Sequence, residues 1–208
     1  MYDLATKAGT CYLWTEIQGG RGSSDIGTCL IKHISNLPEN IKTVRLHSDS
    51  CFGQNRNKYI ACALLYAVTK SNTIESITLS YLETGHTQME CDSMHSAIEQ
   101  AKSGINVFVP SQWETVMNLA RRNNPYIVAN LTYDDFYDLK KLENAYGINF
   151  QNDTCGKKIN WINVRSMKVV HDEQYKVYLK YSYDEDFRCF QKRRKGRRSQ
   201  DGVAVEFI

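Results

Sequence analysis

Apolar and polar positions alternate with two different periods along this chain. Lys42 to Ser48 places Val44 and Leu46 on one side, and Glu75 to Leu82 does the same with Ile77, Leu79 and Tyr81. Period two is the signature of a strand with one face buried. Between them the run from about Gln54 to Thr69 is apolar on nearly every side from Tyr59 to Val68, which predicts a buried helix. Earlier, Ile26, Cys29, Leu30, His33, Ile34 and Leu37 recur at helical spacing after Ser23 and Ser24, with Pro38 just beyond. Met1 to Ala5 and Cys11 to Glu16 flank Ala8-Gly9 and predict a hairpin. A further helix is expected from about Cys91 to Lys102.

Strand, strand, helix, strand, helix, strand, helix is the order of a mixed α/β sheet. Further on, Ser111 and Glu114 have capping-box spacing before a helix through Met117, Leu119 and Ala120. Thr132 and Asp135 are expected to open another helix, ending at Gly147. Trp161 to Val170 and Tyr175 to Tyr183 predict two β-rich segments paired across His171-Asp172-Glu173, and Cys189 onward is expected to lead away from them. The pattern divides the chain into an α/β core over 1–104, a helical and β-hairpin extension over 105–190 and a basic tail over 191–208.

Composition adds little to this until charge is located. The 208 residues hold 26 Lys plus Arg against 23 Asp plus Glu, a formal net charge of +3. Six of the basic residues lie together: Lys192, Arg193, Arg194, Lys195, Arg197 and Arg198. Taking these six from 26 leaves 20 basic against 23 acidic residues elsewhere, so the body is slightly acidic and the tail carries the positive charge. Such a run fits a nuclear localisation patch or an arm that binds phosphates, against a plain solvated tail. The longest apolar stretch, Tyr59 to Val68, is too short to span a bilayer, so no membrane partner is expected. Seven cysteines at irregular spacing include no C-x-x-C pair, which argues against a zinc ribbon.

Two segments can carry chemistry. Asp49 follows a predicted strand and precedes Ser50-Cys51-Phe52-Gly53-Gln54-Asn55-Arg56-Asn57. Open α/β sheets bind ligands at the carboxyl ends of their strands. The amides and guanidinium of Gln54, Asn55 and Arg56 can hydrogen-bond phosphates or orient a metal-bound carboxylate. The competing reading makes Asp49 a helix cap and Gln54 to Asn57 a solvated first turn. The second segment is Gly85-His86-Thr87, followed by Asp92 and His95. Asp92, His95 and Glu99 share one stripe of a helix, which a plain amphipathic helix with a first-turn acid also explains. A zinc site of His86, Cys91, Asp92 and His95 uses legitimate ligands at an unfamiliar spacing, and Cys51 as a nucleophile lacks a placed base. Two carboxylates at one end of a sheet, Asp49 and Asp92, suit Mg²⁺ or Mn²⁺, ions that serve phosphodiester cleavage. Tyr175, Tyr178, Tyr181 and Tyr183 can stack on bases or pack the strands.

The run from Asp49 to Asn57 resembles a signature of transposable-element-derived proteins of insects and other animals. In these an Asp-Asn/Ser-Cys-Gly-Gly-Gln-Asn-Arg-Asn segment ends a strand and opens an apolar helix. Trp14-Thr15-Glu16, Gly20-Arg21-Gly22-Ser23, Gly85-His86-Thr87 with Asp92, and Trp161-Ile162-Asn163-Val164-Arg165 are similar to further segments of the group in the same order. The resemblance implies an RNase H-like domain of the DDE transposase and integrase type. It makes Asp49 and Asp92 catalytic and metal-binding, with Mg²⁺ or Mn²⁺ as cofactor, DNA as partner and the nucleus as location. Phe52 stands where the family has Gly. The family's Asp-Leu-Gln strand has no counterpart here, so the chain is expected to be a truncated copy lacking the central first strand. An active nuclease or strand transferase, a non-catalytic nucleic-acid-binding protein and a protein-interaction module all stay open, as does assembly into a homo-oligomer.

Overall fold

A computed structural model of the chain describes residues 1–83 and 88–190. The fold is mixed α/β, and it divides into two compact units. The larger comprises Gly20–Thr87 and the chain from Asp134 onward; the smaller comprises Met1–Gly19 and Gln88–Tyr133. Each unit is thus built from two separate stretches, which cut across a boundary at residue 104.

The larger unit is organised by a five-stranded sheet. Its strands are β2 (Thr43–Ser48), β3 (Ser76–Tyr81), β5 (Ser166–Val170), β6 (Val177–Lys180) and β7 (Arg188–Phe190), in that spatial order. β2 and β3 are parallel, and the other pairs are antiparallel. The register puts Val44 opposite Ile77, Ile77 opposite Val169, and Leu79 opposite Met167, which in turn faces Leu179. These residues and Tyr81 therefore line one face, and all are buried. In β2 Thr43, Arg45 and His47 alternate with them and are exposed, and in β3 Ser76, Thr78 and Ser80 alternate with them and are half-buried, which is the period-two expectation met in both strands.

Helix α2 (Lys58–Lys70) lies against β3 and β5 as well as against helices α1 (Ser23–Ser35) and α5 (Leu139–Tyr146). Neighbours on opposite sides explain why Ile60 to Leu65, Ala67 and Val68 are all buried. Gly27 permits the close approach of α1. A Cβ there would sit 2.4 Å from Leu139 Cδ1 and 3.2 Å from Ala63 Cβ. Helix α5 ends at Gly147, whose left-handed backbone (φ 60°) closes the last turn.

The smaller unit holds a parallel pair, β1 (Thr10–Leu13) with β4 (Ile127–Asn130), and helices α3 (Glu90–Lys102) and α4 (Gln112–Leu119). Met94, Ile98, Val116 and Tyr126 form its core. Arg121 lies 4.6 Å from the centroid of the Tyr126 ring.

Several boundaries depart from the sequence expectation. The helix expected from Gln54 begins at Lys58, because Asn57 caps it and the preceding residues form a loop. The helix expected from Thr132 begins at Leu139: Tyr133–Asp135 is a single 3-10 turn, and Asp138 supplies the cap by accepting Lys140 N–H and Lys141 N–H. Ser111 makes no side-chain cap at α4. Glu114 instead accepts a hydrogen bond from Asn130 Nδ2 at 2.8 Å. Trp161–Asn163 is a 3-10 turn, so β5 starts only at Ser166. The opening hairpin reduces to one antiparallel bridge, Tyr2 with Gly9, before β1 turns to pair with β4, a strand the pattern did not reveal. The hairpin of β5 and β6 forms as expected. Arg188–Phe190 then pairs back onto β6 rather than leading away. No helix among the described residues is long and apolar enough to cross a membrane.

Candidate functional site

Parallel pairing brings the carboxyl ends of β2 and β3 side by side, with Leu82 N–H donating to Ser48 O at 2.9 Å. The loop of residues 49–57 leaves from this end, and each polar side chain in it has a definite task. Ser50 Oγ donates to Leu82 O at 2.6 Å, fastening the loop to the end of β3. The Cys51 carbonyl accepts the backbone N–H groups of Gln54, Asn55 and Arg56, which curls the loop into a turn. Gln54 Nε2 donates to Arg21 O at 3.0 Å, and Ser23 Oγ donates to Gly53 O at 3.0 Å, tying the loop to the start of α1. Asn57 finishes it. Its Oδ1 accepts Tyr59 N–H and Ile60 N–H at 3.0 and 3.2 Å, and its Nδ2 is 2.8 Å from Ser23 Oγ. The signature-like run is therefore a folded loop, and the cap of α2 is Asn57 rather than Asp49.

Asp49 is exposed at the tip of β2. Asn55 Nδ2 donates to its Oδ1 at 2.6 Å, fixing the carboxylate plane, while Oδ2 has no partner among the described residues. A neutral amide behind a carboxylate orients it without neutralising it, the arrangement that supports oxygen ligands of hard cations. Phe52 is exposed, and neither it nor Gly53 has a positive φ. The backbone there places no demand for glycine, which explains why Phe is accommodated where the resembling family has Gly.

Arg56 points inward and is only 4% exposed. Its guanidinium lies 4.8 Å from the centroid of the Tyr81 ring, and its Nη1 donates to Ile162 O. Nε and Nη2 are buried with no hydrogen-bond partner. Burial lowers the Arg56 pKa, and the neighbouring Arg165 charge opposes it further; burial also raises the pKa of the Tyr81 hydroxyl, which donates to Asn55 O at 2.6 Å. An arginine keeps its charge through such shifts, because its intrinsic pKa is so high. Tyr183 joins this end of the sheet by donating its hydroxyl to the Tyr81 carbonyl.

Asp92 belongs to the smaller unit and sits in the first turn of α3. Its Oδ2 accepts Met89 N–H at 2.8 Å, so it serves as the helix's capping acid. His95 and Glu99 are exposed on the solvent side of the helix, whose other side buries Met94 and Ile98. Gly85, His86 and Thr87, and the whole basic run of Lys192, Arg193, Arg194, Lys195, Arg197 and Arg198, lie outside the described residues. Among the described residues no three His, Cys, Asp or Glu side chains cluster as a metal-binding group. Cys91, Asp92 and His95 therefore give no zinc site by themselves. Mg²⁺ and Mn²⁺ make a smaller demand, since one or two carboxylates with water and phosphate oxygens suffice, and Asp49 meets it in part. Of the four tyrosines set against base stacking, Tyr175 packs edge-on against Tyr146 at 5.8 Å, and Tyr178 donates its hydroxyl to Glu173.

Asp49, Gln54, Asn55 and Arg56 thus come together in one loop. Arg165, Tyr81 and Tyr183 join them from the residue before β5, from β3 and from the segment after β6. Sequence reasoning offered Tyr183 only for base stacking and did not single out Arg165 or Tyr81 as site residues, since only strand pairing brings them to the same end of the sheet. A family model described as a domain of unknown function (DUF7869) matches residues 5–181. No curated protein and no solved structure matches the chain.

Proposed function

The chain belongs to the DUF7869 family, and we propose that it is a transposase-derived nuclease domain acting on DNA phosphodiesters with Mg²⁺ or Mn²⁺. The observation that carries this reading is the exposed Asp49 carboxylate, held by Asn55 at the carboxyl end of a parallel strand pair. That position is where α/β sheets gather their ligands, and a carboxylate oriented by a neutral amide suits a hard cation. A bound divalent ion would activate water and stabilise a leaving oxygen. Asp49 would hold the ion on its free Oδ2. The loop amides would keep the carboxylate turned outward. Asp92, in the other unit, is the second acid that the resemblance implies, and the basic run from Lys192 to Arg198 would supply attraction to DNA and entry to the nucleus.

A non-catalytic nucleic-acid-binding protein is the second reading. It is favoured by the commitment of Asp92 to its own helix cap. The two separate in one assay. Nicking of supercoiled plasmid in Mn²⁺ is expected from the wild-type chain and is expected to vanish in Asp49→Asn, with DNA binding and thermal stability retained. Equal nicking by both proteins would remove Asp49 from the chemistry. No nicking by either, with DNA binding intact, would favour the second reading.

A further inference from the structure

The same end of the sheet holds a buried charge whose contacts, the Tyr81 ring and the Ile162 carbonyl, leave part of its guanidinium without an acceptor. Arg56 is buried, yet it has no carboxylate partner, and its Nε and Nη2 have no hydrogen-bond partner. Buried charged donors without partners are costly, so proteins rarely keep them without a reason. A second guanidinium stands close by. Arg165 immediately precedes β5, and its carbonyl accepts Tyr81 N–H at 2.9 Å, which puts it beside the end of β3. It is half-buried, its side chain has no partner among the described residues, and its charge acts on Arg56. The nearby acid whose charge bears on Arg56 is Asp49, already bonded to Asn55. Two guanidiniums against one carboxylate leave this end of the sheet short of negative charge.

We propose that Arg56 and Arg165 form a phosphate clamp, in which a phosphate group supplies the missing anion. Guanidinium forks match phosphate oxygens in geometry and charge, and Nε with Nη2 is one such fork. The proposal rests on the nuclease reading only for its substrate, a DNA backbone phosphate presented next to Asp49. The clamp itself stands on the buried Nε and Nη2 of Arg56, which have no acceptor. Tyr183, 42% exposed and bonded to the Tyr81 carbonyl, lies over the same end of the sheet and would be the side chain that yields when the phosphate enters.

Two measurements on the full chain test it. In thermal denaturation at constant ionic strength, inorganic phosphate is expected to raise the wild-type midpoint above that in chloride. The rise should be absent in Arg165→Ala and in Arg56→Met, while Arg165→Lys should keep part of it. Arg56→Met should unfold close to wild type without phosphate, because it gives up the Nη1 bond to Ile162 O and the contact with the Tyr81 ring but relieves two buried donors that have no acceptor. In fluorescence anisotropy with a duplex DNA oligonucleotide, Arg165→Ala should weaken binding on the order of ten-fold. It should also reduce the slope of log affinity against log salt by about 1. A phosphate effect with an unchanged DNA slope would support the clamp but assign it to a free phosphate compound. Wild-type behaviour of Arg165→Ala in both measurements would overturn it, as would a marked loss of stability in Arg56→Met with an unchanged phosphate response. Asp49→Asn separates the two ideas: it should retain the phosphate effect while losing Mn²⁺-dependent nicking. If Asp49→Asn nicks normally, the metal reading falls and the clamp is untouched.

Discussion

Replacing Asn57 by alanine tests whether the loop that presents Asp49 and Arg56 is held by a single residue. Asn57 Oδ1 accepts two backbone N–H groups at the start of α2, at 3.0 and 3.2 Å. Losing such a cap costs about 1 kcal/mol, within a range of roughly 0.5–2. Its Nδ2 faces Ser23 Oγ, Phe52 O and Gln54 O at 2.8, 3.2 and 3.3 Å, and with two hydrogens it can satisfy two of them. At about 1 kcal/mol for each bond the donors add roughly 2. Asn57→Ala should therefore destabilise the larger unit by about 3 kcal/mol. For a chain of this size that is a fall in midpoint of about 6–12 °C. Asn57→Asp divides the effect. It keeps the oxygen that accepts both N–H groups and adds a favourable negative charge at the helix start, but turns the donor toward Phe52 O and Gln54 O into an acceptor. It should cost about 2 kcal/mol, and Asn57→Ser should fall between the two. Urea denaturation followed by far-UV circular dichroism gives the comparison. Two results would refute the reasoning: Asn57→Ala within about 0.5 kcal/mol of wild type, or Asn57→Asp as damaging as Asn57→Ala.

Three further outcomes are expected. Gly27→Ala adds about 1 kcal/mol of helix propensity but forces a contact 2.4 Å from Leu139 Cδ1, so a net loss of about 1–2 kcal/mol in the same denaturation experiment is expected; a gain in stability would show that α1 has room to shift. The Tyr178 hydroxyl, followed by Lys176, holds the Glu173 carboxyl below its ordinary range, so the stability it contributes is present above the unfolded-state value and lost as pH falls through the depressed folded-state one. Carboxyl NMR titration should find that depression in wild type and its partial reversal in Tyr178→Phe. Burial pushes the Cys29 thiol up to about 12 and raises Cys62 well above the ordinary thiol range, whereas Cys155 is exposed. A disulfide thiol reagent followed by mass spectrometry should label Cys155 in the native protein and reach Cys29 and Cys62 only after unfolding.

Much of the core was readable along the chain because its signals are local. The period-two runs at Val44-Leu46 and Ile77-Leu79-Tyr81 name the inward face of β2 and β3 correctly, and the all-apolar run after Tyr59 names the buried helix. The starts of helices were less readable. Asp49, Asn57, Thr132, Asp135 and Asp138 are all residue types that cap helices, and only the observed bonds choose Asn57 and Asp138. β4 escaped notice because Ile127-Val128-Ala129-Asn130 is short and does not alternate, and its partner β1 is more than a hundred residues away. Asp92 has the same appearance in sequence whether it caps its own helix or faces a ligand, and the structure shows the cap.

The sequence by itself determined which apolar residues of β2, β3 and α2 would be buried, that the fold would mix strands with helices, and that Asp49 would follow a strand beside a polar segment. Periodicity and side-chain size act between neighbours in the chain, so they are present before any folding. Tertiary structure alone decided that Asn55 orients Asp49, that Arg56 turns inward over Tyr81, and that Arg165 stands at the same end of the sheet. Hydrogen-bond partners and uncompensated charge depend on which distant strands pair and in what register. Moving β5 by one residue against β3 would turn its side chains to opposite faces and change which groups meet at that end.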